Sequence, residues 1–460
     1  MLRAPSARPR AGARSRQRGQ AIYLALAAIV FLSLMTFATW NIGQMAHGKA
    51  QAMNAADAGA YAFANTVARD MNFMAYSNRA MVANHAVVGQ LVSLASLSEM
   101  IYLAADDLSN LQNLSWIPYV GSIFAAIGEA FEILATVIDE AILPALQGLT
   151  SLQNGLIQGI SMMQPVARLA SVIDIERVGK IVEANDRELK WDLTSGGGWL
   201  STAANVRAVL NGSTERRSDD TAKSRMREVV NLSRDGFTVQ REWLPAPPWP
   251  VKSKTLFHGG TQLSSDNKTW MGVDAFEMEI WMPWPSPNLW IRLWETGEVA
   301  GSSGADDWRR LDHGRLSGNG HRKAHRNMED RLKDSYGGIQ PYYELSGNPR
   351  PGEHPSETFV VLVYKPVRNA TTPNAAQTFG MDADDSFHLD EGRVRIYGVA
   401  AAQVYFRRPA RSDQDPTAAR LPAAEYQNGT YATLFSPYWQ ARLTDVPDYV
   451  TAGLLMAADR

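Results

Sequence analysis

The chain has 460 residues, with 45 lysines and arginines against 47 acidic residues and a formal net charge of −2. That balance excludes a chain-wide grip on nucleic acid or another polyanion, and the length suits two or three domains. Cysteine is absent, which excludes disulfides, thiolate catalysis and cysteine metal sites together.

Residues 1–18 carry Arg3, Arg8, Arg10, Arg14, Arg16 and Arg18, and the first acidic residue is Asp57. Residues 21–43 read AIYLALAAIVFLSLMTFATWNIG, without a charge. As helix they span about 34 Å at ~1.5 Å per residue, enough for a ~30 Å hydrocarbon core. Tyr23 and Trp40 lie near the two ends, where aromatic rings favour the interface. A cleaved signal peptide has an apolar region of roughly 7–15 residues and a small-x-small site. This segment is longer and exits through Trp-Asn-Ile-Gly-Gln. The sequence therefore predicts a basic cytoplasmic tail over 1–18 and a retained transmembrane helix over 19–45. Everything after it is expected beyond the membrane.

Residues 50–92 predict one helix. Ala52, Ala56, Gly59, Phe63, Val67, Met71 and Met74 recur at three- and four-residue spacing. Asn54, Tyr61, Asn65, Arg69, Asn72, Tyr76 and Arg79 form the opposite stripe. Two readings fit: an ordinary amphipathic helix packed on its own domain, or a stalk whose small face meets neighbouring subunits. Helical character continues over 91–110 until Pro118 and Gly121 break it. Phe124, Ile127, Phe131, Leu134, Ile138 and Ile142 then form a new apolar stripe, and Pro144 is expected to close it. Glu129, Glu132, Asp139 and Glu140 exclude a second membrane span there. Residues 145–192 predict further helix, so 46–192 is a mainly helical stalk or domain.

Residues 193–250 are expected to form a linker with a short helix, starting at Ser195-Gly-Gly-Gly and ending in the extended PAPPWP. From about 251 the pattern turns to strands. FEMEIWM (276–282) alternates, and FVVLVY (359–364) is an apolar run suited to a central strand. RVRIY (393–397) and AQVYF (402–406) read as two more. The fold class is thus α+β: a transmembrane helix, a helical stalk, and a mixed or mainly β domain over 251–460.

Chemistry-bearing clusters are few. His321 and His325 have the i, i+4 spacing of zinc ligands, with Asp312 and His313 nearby, but Arg322 and Lys323 interleave and oppose a dication. A solvated basic helix face is the better reading. Asp382, Asp384, Asp385, Asp390 and Glu391 lack the glycine and final glutamate of a calcium loop and read as an acidic surface loop. Eight tryptophans fall between Trp243 and Trp308; Trp281, Trp284, Trp290 and Trp294 are a candidate glycan or peptide surface, or core filler. No nucleotide fingerprint or catalytic constellation is present. The sequence predicts no enzyme activity, no cofactor and no metal.

The stretch RQRGQAIYLALAAIVFLSLMTFATWNIGQMAHGKAQAMNAADAGAYAFA resembles the start of the TadE/TadG-like Flp pilus-assembly family. The matching residues are Arg18, Gly19, the apolar span, Lys49, and Asn54, Ala55, Ala56, Asp57, Ala58, Gly59 and Ala60. The resemblance implies a single-pass inner-membrane protein of a Gram-negative bacterium. Its bulk would be periplasmic and would assist pilus assembly, anchoring or adhesion. The implied partners are the lipid bilayer, pilus-assembly or minor pilin subunits reached through the N-terminal helix, and further copies of the chain. Pilin-like members are cut after a glycine that precedes a glutamate by five residues. After Gly19 the fifth residue is Leu24, so an uncleaved anchor is expected. The rival function is a membrane-tethered periplasmic module that grips glycan or peptide through the tryptophan-rich segment.

Overall fold

A computed structural model describes residues 20–109, 112–113, 115, 121–173, 176–195, 198–200, 214–242, 252–283, 290–301, 335–346, 357–366, 395–407, 432–448 and 450. The chain is α+β, as its sequence patterns predict. Helix α1 runs unbroken over Gln20–Ser109, about 135 Å at ~1.5 Å per residue. Its first part stands bare: Ile22, Leu24, Leu32 and Ile42 are all exposed. Gly48 is the first buried position, and from there the helix enters the body of the protein.

Around this axis lie α2 (Gly121–Val137), α3 (Leu143–Ile173) and α4 (Glu176–Asn185), then β1 (Lys190–Ser195), β2 (Gly198–Leu200) and β3 (Thr214–Arg217). Helices α5 (Asp220–Leu232) and α6 (Gly236–Val239) follow, opened by the N-caps Asp219 and Asp235, whose carboxylates accept from Ala222 and Thr238 backbone N–H. The remaining strands are β4 (Arg241–Glu242), β5 (Lys252–Leu263), β6 (Trp270–Pro283), β7 (Trp290–Gly301), β8 (Tyr342–Leu345), β9 (Glu357–Pro366), β10 (Arg395–Phe406) and β11 (Trp439–Thr444). They form an antiparallel sheet ordered β11-β10-β9-β1-β2, a β3-β8 pair, and a ribbon β4-β5-β6-β7.

Three expectations are corrected. Pro144 does not close the helix. A π-helical turn over Ile138–Ile142 precedes it, and proline at the second position of α3 sits where its missing N–H costs little. Pro165 also lies inside α3; the Ser161 carbonyl that it leaves without an i+4 donor accepts from Arg216 Nη2 at 3.4 Å. Residues 190–192 are not helix. They begin β1, whose Trp191 pairs with Val363 of β9. The two strands expected at 393–397 and 402–406 are one strand through Gly398, and Arg393 lies outside the described residues. The apolar run at 359–364 does form the central strand.

Two cores line α1. The first packs Ala52, Ala56, Ala60, Phe63, Ala64 and Val67 of α1 against α4, β9, β10 and Trp439. Burying Phe63 or Val67 there contributes about 1.5–3 kcal/mol, and each alanine methyl about 0.8 kcal/mol. The second packs Met81, Val88, Val92 and Ala95 against α3, α5, Trp270 and Tyr342. The ordinary amphipathic reading of 50–92 therefore holds. The small-residue face is buried inside the protein's own domain and is not presented by a free stalk. Asn54, Tyr61, Asn65, Arg69, Tyr76 and Arg79 are exposed, as the stripe predicts.

Asn72 is the exception. It is half-buried and acts as an extra strand neighbour: its Nδ2 donates to Trp439 O at 2.9 Å, and Trp439 N–H donates to its Oδ1 at 3.0 Å. Asn72→Leu leaves both backbone groups unpaired and is expected to cost about 1–3 kcal/mol. Denaturant unfolding of the chain in detergent reads this, and an unchanged midpoint would contradict it.

Candidate functional site: the membrane helix and its entry into the core

The bare segment of α1 is the one helix among the described residues long and apolar enough to cross a membrane, and none of its most apolar window is buried. In water such a surface is a large apolar patch; in a bilayer it is a solvated span. Thr36 and Thr39 return their hydroxyls to the carbonyls four residues back, at 2.8 Å each, which satisfies these two polar groups within the helix.

Where the span ends, the family-like residues meet the sheet. Lys49 Nζ donates to the Tyr397 carbonyl. Gln51 Oε1 accepts from Lys365 Nζ at 3.3 Å, and the same ammonium pairs with Asp186 at 2.6 Å. Desolvation raises the Asp186 carboxyl, but hydrogen bonds from Lys365 and the Glu188 backbone outweigh it and hold it below its ordinary range. Ala55 and Ala56 are fully buried, Asp57 and Ala58 half-buried, and Asn54 exposed. The alanines are small because α1 lies almost on the sheet: a Cβ on Gly398 would stand 2.1 Å from the Ala52 carbonyl oxygen. Arg18 and Gly19 lie outside the described residues.

Farther along, polar groups punctuate the buried face of α1. Asp70 pairs with Arg168 of α3 at 2.6 Å, and the guanidinium sits 4.7 Å from the Tyr343 ring centroid. Asn78 Nδ2 donates to the carbonyls of Tyr343 and Leu434, while Gln164 of α3 donates to Ser77 and Asn78. These bonds run α3 antiparallel to α1 and fix its register. They bind one element of the fold to another. Sequence reading passed over Asp70, Ser77, Asn78 and His85; the available signal was polar residues recurring every seven or eight positions on an otherwise apolar face.

His85 is fully buried, and burial lowers its pKa from 6.5 to about 3. Its Nδ1 lies 2.8 Å from the Tyr336 hydroxyl, which burial holds protonated far above its usual range. The imidazole is therefore neutral and shares this hydrogen bond with the phenol. The unfolded chain gains the His85 proton near pH 6.5 and the folded one only near pH 3. Stability from this group is complete above pH 6.5 and falls with acidification by about 1.4 kcal/mol per pH unit. His85→Gln is expected to flatten that part of the slope in melting curves between about pH 4.5 and 6.5; an unaltered slope would contradict it.

Of the candidate tryptophan surface, positions 281, 290 and 294 lie on the ribbon strands β6 and β7. Trp270 is buried in the second core, where its ring fills the space a Cβ on Gly89 would need, at 2.6 Å. Trp281 is half-buried and pairs with Arg292; Trp290 pairs with Pro283 and Trp294 with Ile280, across a register shift at Ile280/Trp281. That shift puts the pairs on its two sides out of phase along the ribbon. Trp284, the histidines at 313, 321 and 325, and the acidic cluster at 382–391 lie outside the described residues. No group of metal-holding side chains occurs among the described residues.

No curated protein and no solved structure matches the chain. One family does, over the segment that forms the bare helix and its first turns inside the core. Residues 19–68 match the family described as "Putative Flp pilus-assembly TadE/G-like", so the N-terminal segment of this chain is a TadE/G-like one.

Proposed function

We propose that this chain is a non-catalytic, membrane-anchored component of a Flp pilus-assembly system, with its arginine-rich tail cytoplasmic and its folded domain on the periplasmic side. The observation that carries this reading is the coincidence of the TadE/G-like segment with the bare apolar helix. A second feature supports a protein neighbour. Leu149, Leu152, Leu156, Met163 and Val166 form an exposed apolar row on α3 at alternating three- and four-residue steps, with Gly159 at the remaining position of the series. Arg168, near the row's membrane-proximal end, pairs with Asp70, which lies about 40 Å along α1 from Gly43 at ~1.5 Å per residue. Lipid does not reach that height, so a protein surface is the natural cover.

In this reading the span meets pilus-assembly subunits within the bilayer, and the α3 row meets them outside it. Crosslinking in intact membranes from a photoreactive residue at position 156, followed by purification, is expected to recover secretion-platform or pilin subunits. Recovery of none, together with glycan binding lost on Trp281→Ala, would favour the tethered binding module instead. A phosphatase fused after residue 200 is expected to be active; an inactive one would refute the orientation.

A further inference from the structure

The unbroken α1 acts as a ruler from the membrane into the domain. Its contacts climb β10 in order. Ala52 meets Gly398, Gly59 meets Val361 (the partner of Ala400), and Phe63 meets Phe359 (the partner of Ala402). Asn72 then meets Trp439, the partner of Phe406. Helix and strand therefore run side by side in the same direction, and the start of β10 is the edge of the sheet nearest the membrane.

Its height follows from repeat distances. From Gly43 to Ala52 the helix rises about 14 Å at ~1.5 Å per residue. From Gly398 back to Arg395 the strand descends about 10 Å at ~3.3 Å per residue. Arg395 thus stands about 4 Å beyond the end of the apolar span, within the roughly 5–7 Å of headgroup layer on each side of the hydrocarbon. Tyr364 pairs with Tyr397 on one side and Lys190 on the other, which sets all three about 7 Å farther from the span than Arg395 at ~3.3 Å per residue, on the water side of the headgroups.

The chemistry of this edge fits the layer. Lys190, Arg187 and Arg395 are exposed. The Arg395 guanidinium sits 5.0 Å from the Tyr364 ring centroid, and the two tyrosines are 6.2 Å apart. Asp186 is neutralised by Lys365, and Glu183 and Glu188 are exposed acids on the same segment as Arg187 and Lys190. Basic and tyrosyl side chains together suit the boundary between anionic headgroups and water. We infer that this edge of the sheet docks on the anionic phospholipid headgroups of the bilayer that α1 spans, and so sets the tilt of the rod. The inference rests on the anchor reading and adds a second, electrostatic contact to it.

The chain has no cysteine, so an introduced thiol is unique. Spin labels at Lys190→Cys and, at the far end of the sheet, at Arg407→Cys are compared in the full chain. The chain is reconstituted in vesicles of phosphatidylcholine with or without phosphatidylglycerol, using a lipid-bound nickel chelate as relaxant. Strong relaxation at position 190, weak relaxation at 407, and a preference for the anionic vesicles are expected. Arg395→Gln is expected to lower the docked-to-undocked ratio about fivefold, as loss of one surface charge does. A chain that fails to float with vesicles sinks the anchor and the docking together. A chain that floats but shows equal relaxation at both labels, or no preference for anionic lipid, overturns the docking alone.

Discussion

Asp274→Ala is expected to lower folding stability by about 3–5 kcal/mol, because it strands a buried guanidinium. Arg241 of β4 and Asp274 of β6 pair across β5, with Nε–Oδ1 at 2.8 Å and Nη2–Oδ2 at 2.9 Å, and both side chains are essentially inaccessible. They meet over Gly259, which pairs with Arg241 on one side and Asp274 on the other. A Cβ on Gly259 would lie 1.7 Å from the Asp274 carboxylate, so the glycine is the opening through which the ion pair forms. Arg241 also donates to the Phe237 carbonyl and to Thr261 Oγ1. Burial pushes the Asp274 carboxyl up and Arg241 pulls against it. Replacing both partners by apolar residues, Arg241→Met with Asp274→Leu, is expected to recover most of the loss, since it removes the desolvation of both charges. Denaturant midpoints of the two singles and the double in detergent form the cycle. A single variant losing less than about 1 kcal/mol would show that the pair is not closed in solution.

Gly398→Ala is the second large effect, expected to cost about 3 kcal/mol, the upper part of the overpacking range. The obstacle is the backbone of Ala52, which cannot rotate away as a side chain would. The helix would have to lift from the sheet exactly where the domain begins, breaking the Lys49 bond to Tyr397 as well. Gly155→Ala on α3 is the matched control. No atom lies within 4 Å of its added Cβ, so the helix is expected to gain about 0.5–1 kcal/mol instead. Thermal unfolding of the two variants side by side reads the opposite signs. A Gly398→Ala protein as stable as the parent would mean that α1 does not lie on β10.

The legible parts of the fold were those set by near neighbours in the chain. The span follows from uncharged length, and the exposed stripe of α1 from its 3.6-residue repeat. The central strand at 359–364 follows from an apolar run. Misreadings fell where a distant segment overruled the local signal. Lys190 and Trp191 continue a helical stretch in sequence, yet their partners are in β9. Residues 398–401 fall between the two expected strands, whereas Gly398 continues one strand and lets a helix pass at backbone distance. Pro144 reads as a stop, but the π-helical turn before it carries the helix through.

By itself, the sequence determined that this protein has an uncharged apolar segment long enough to cross a bilayer, which side of α1 is polar, and that its N-terminal segment resembles the TadE/G-like family. Each of those depends on composition or on spacing within a few turns. Only the tertiary structure decided what the small residues of 52–64 are for. They meet the protein's own sheet, because β9 and β10, some three hundred residues away in the chain, close over them. Close approach of two backbones needs small side chains whether the partner is a neighbouring subunit or the chain itself, and the pattern alone does not distinguish the two.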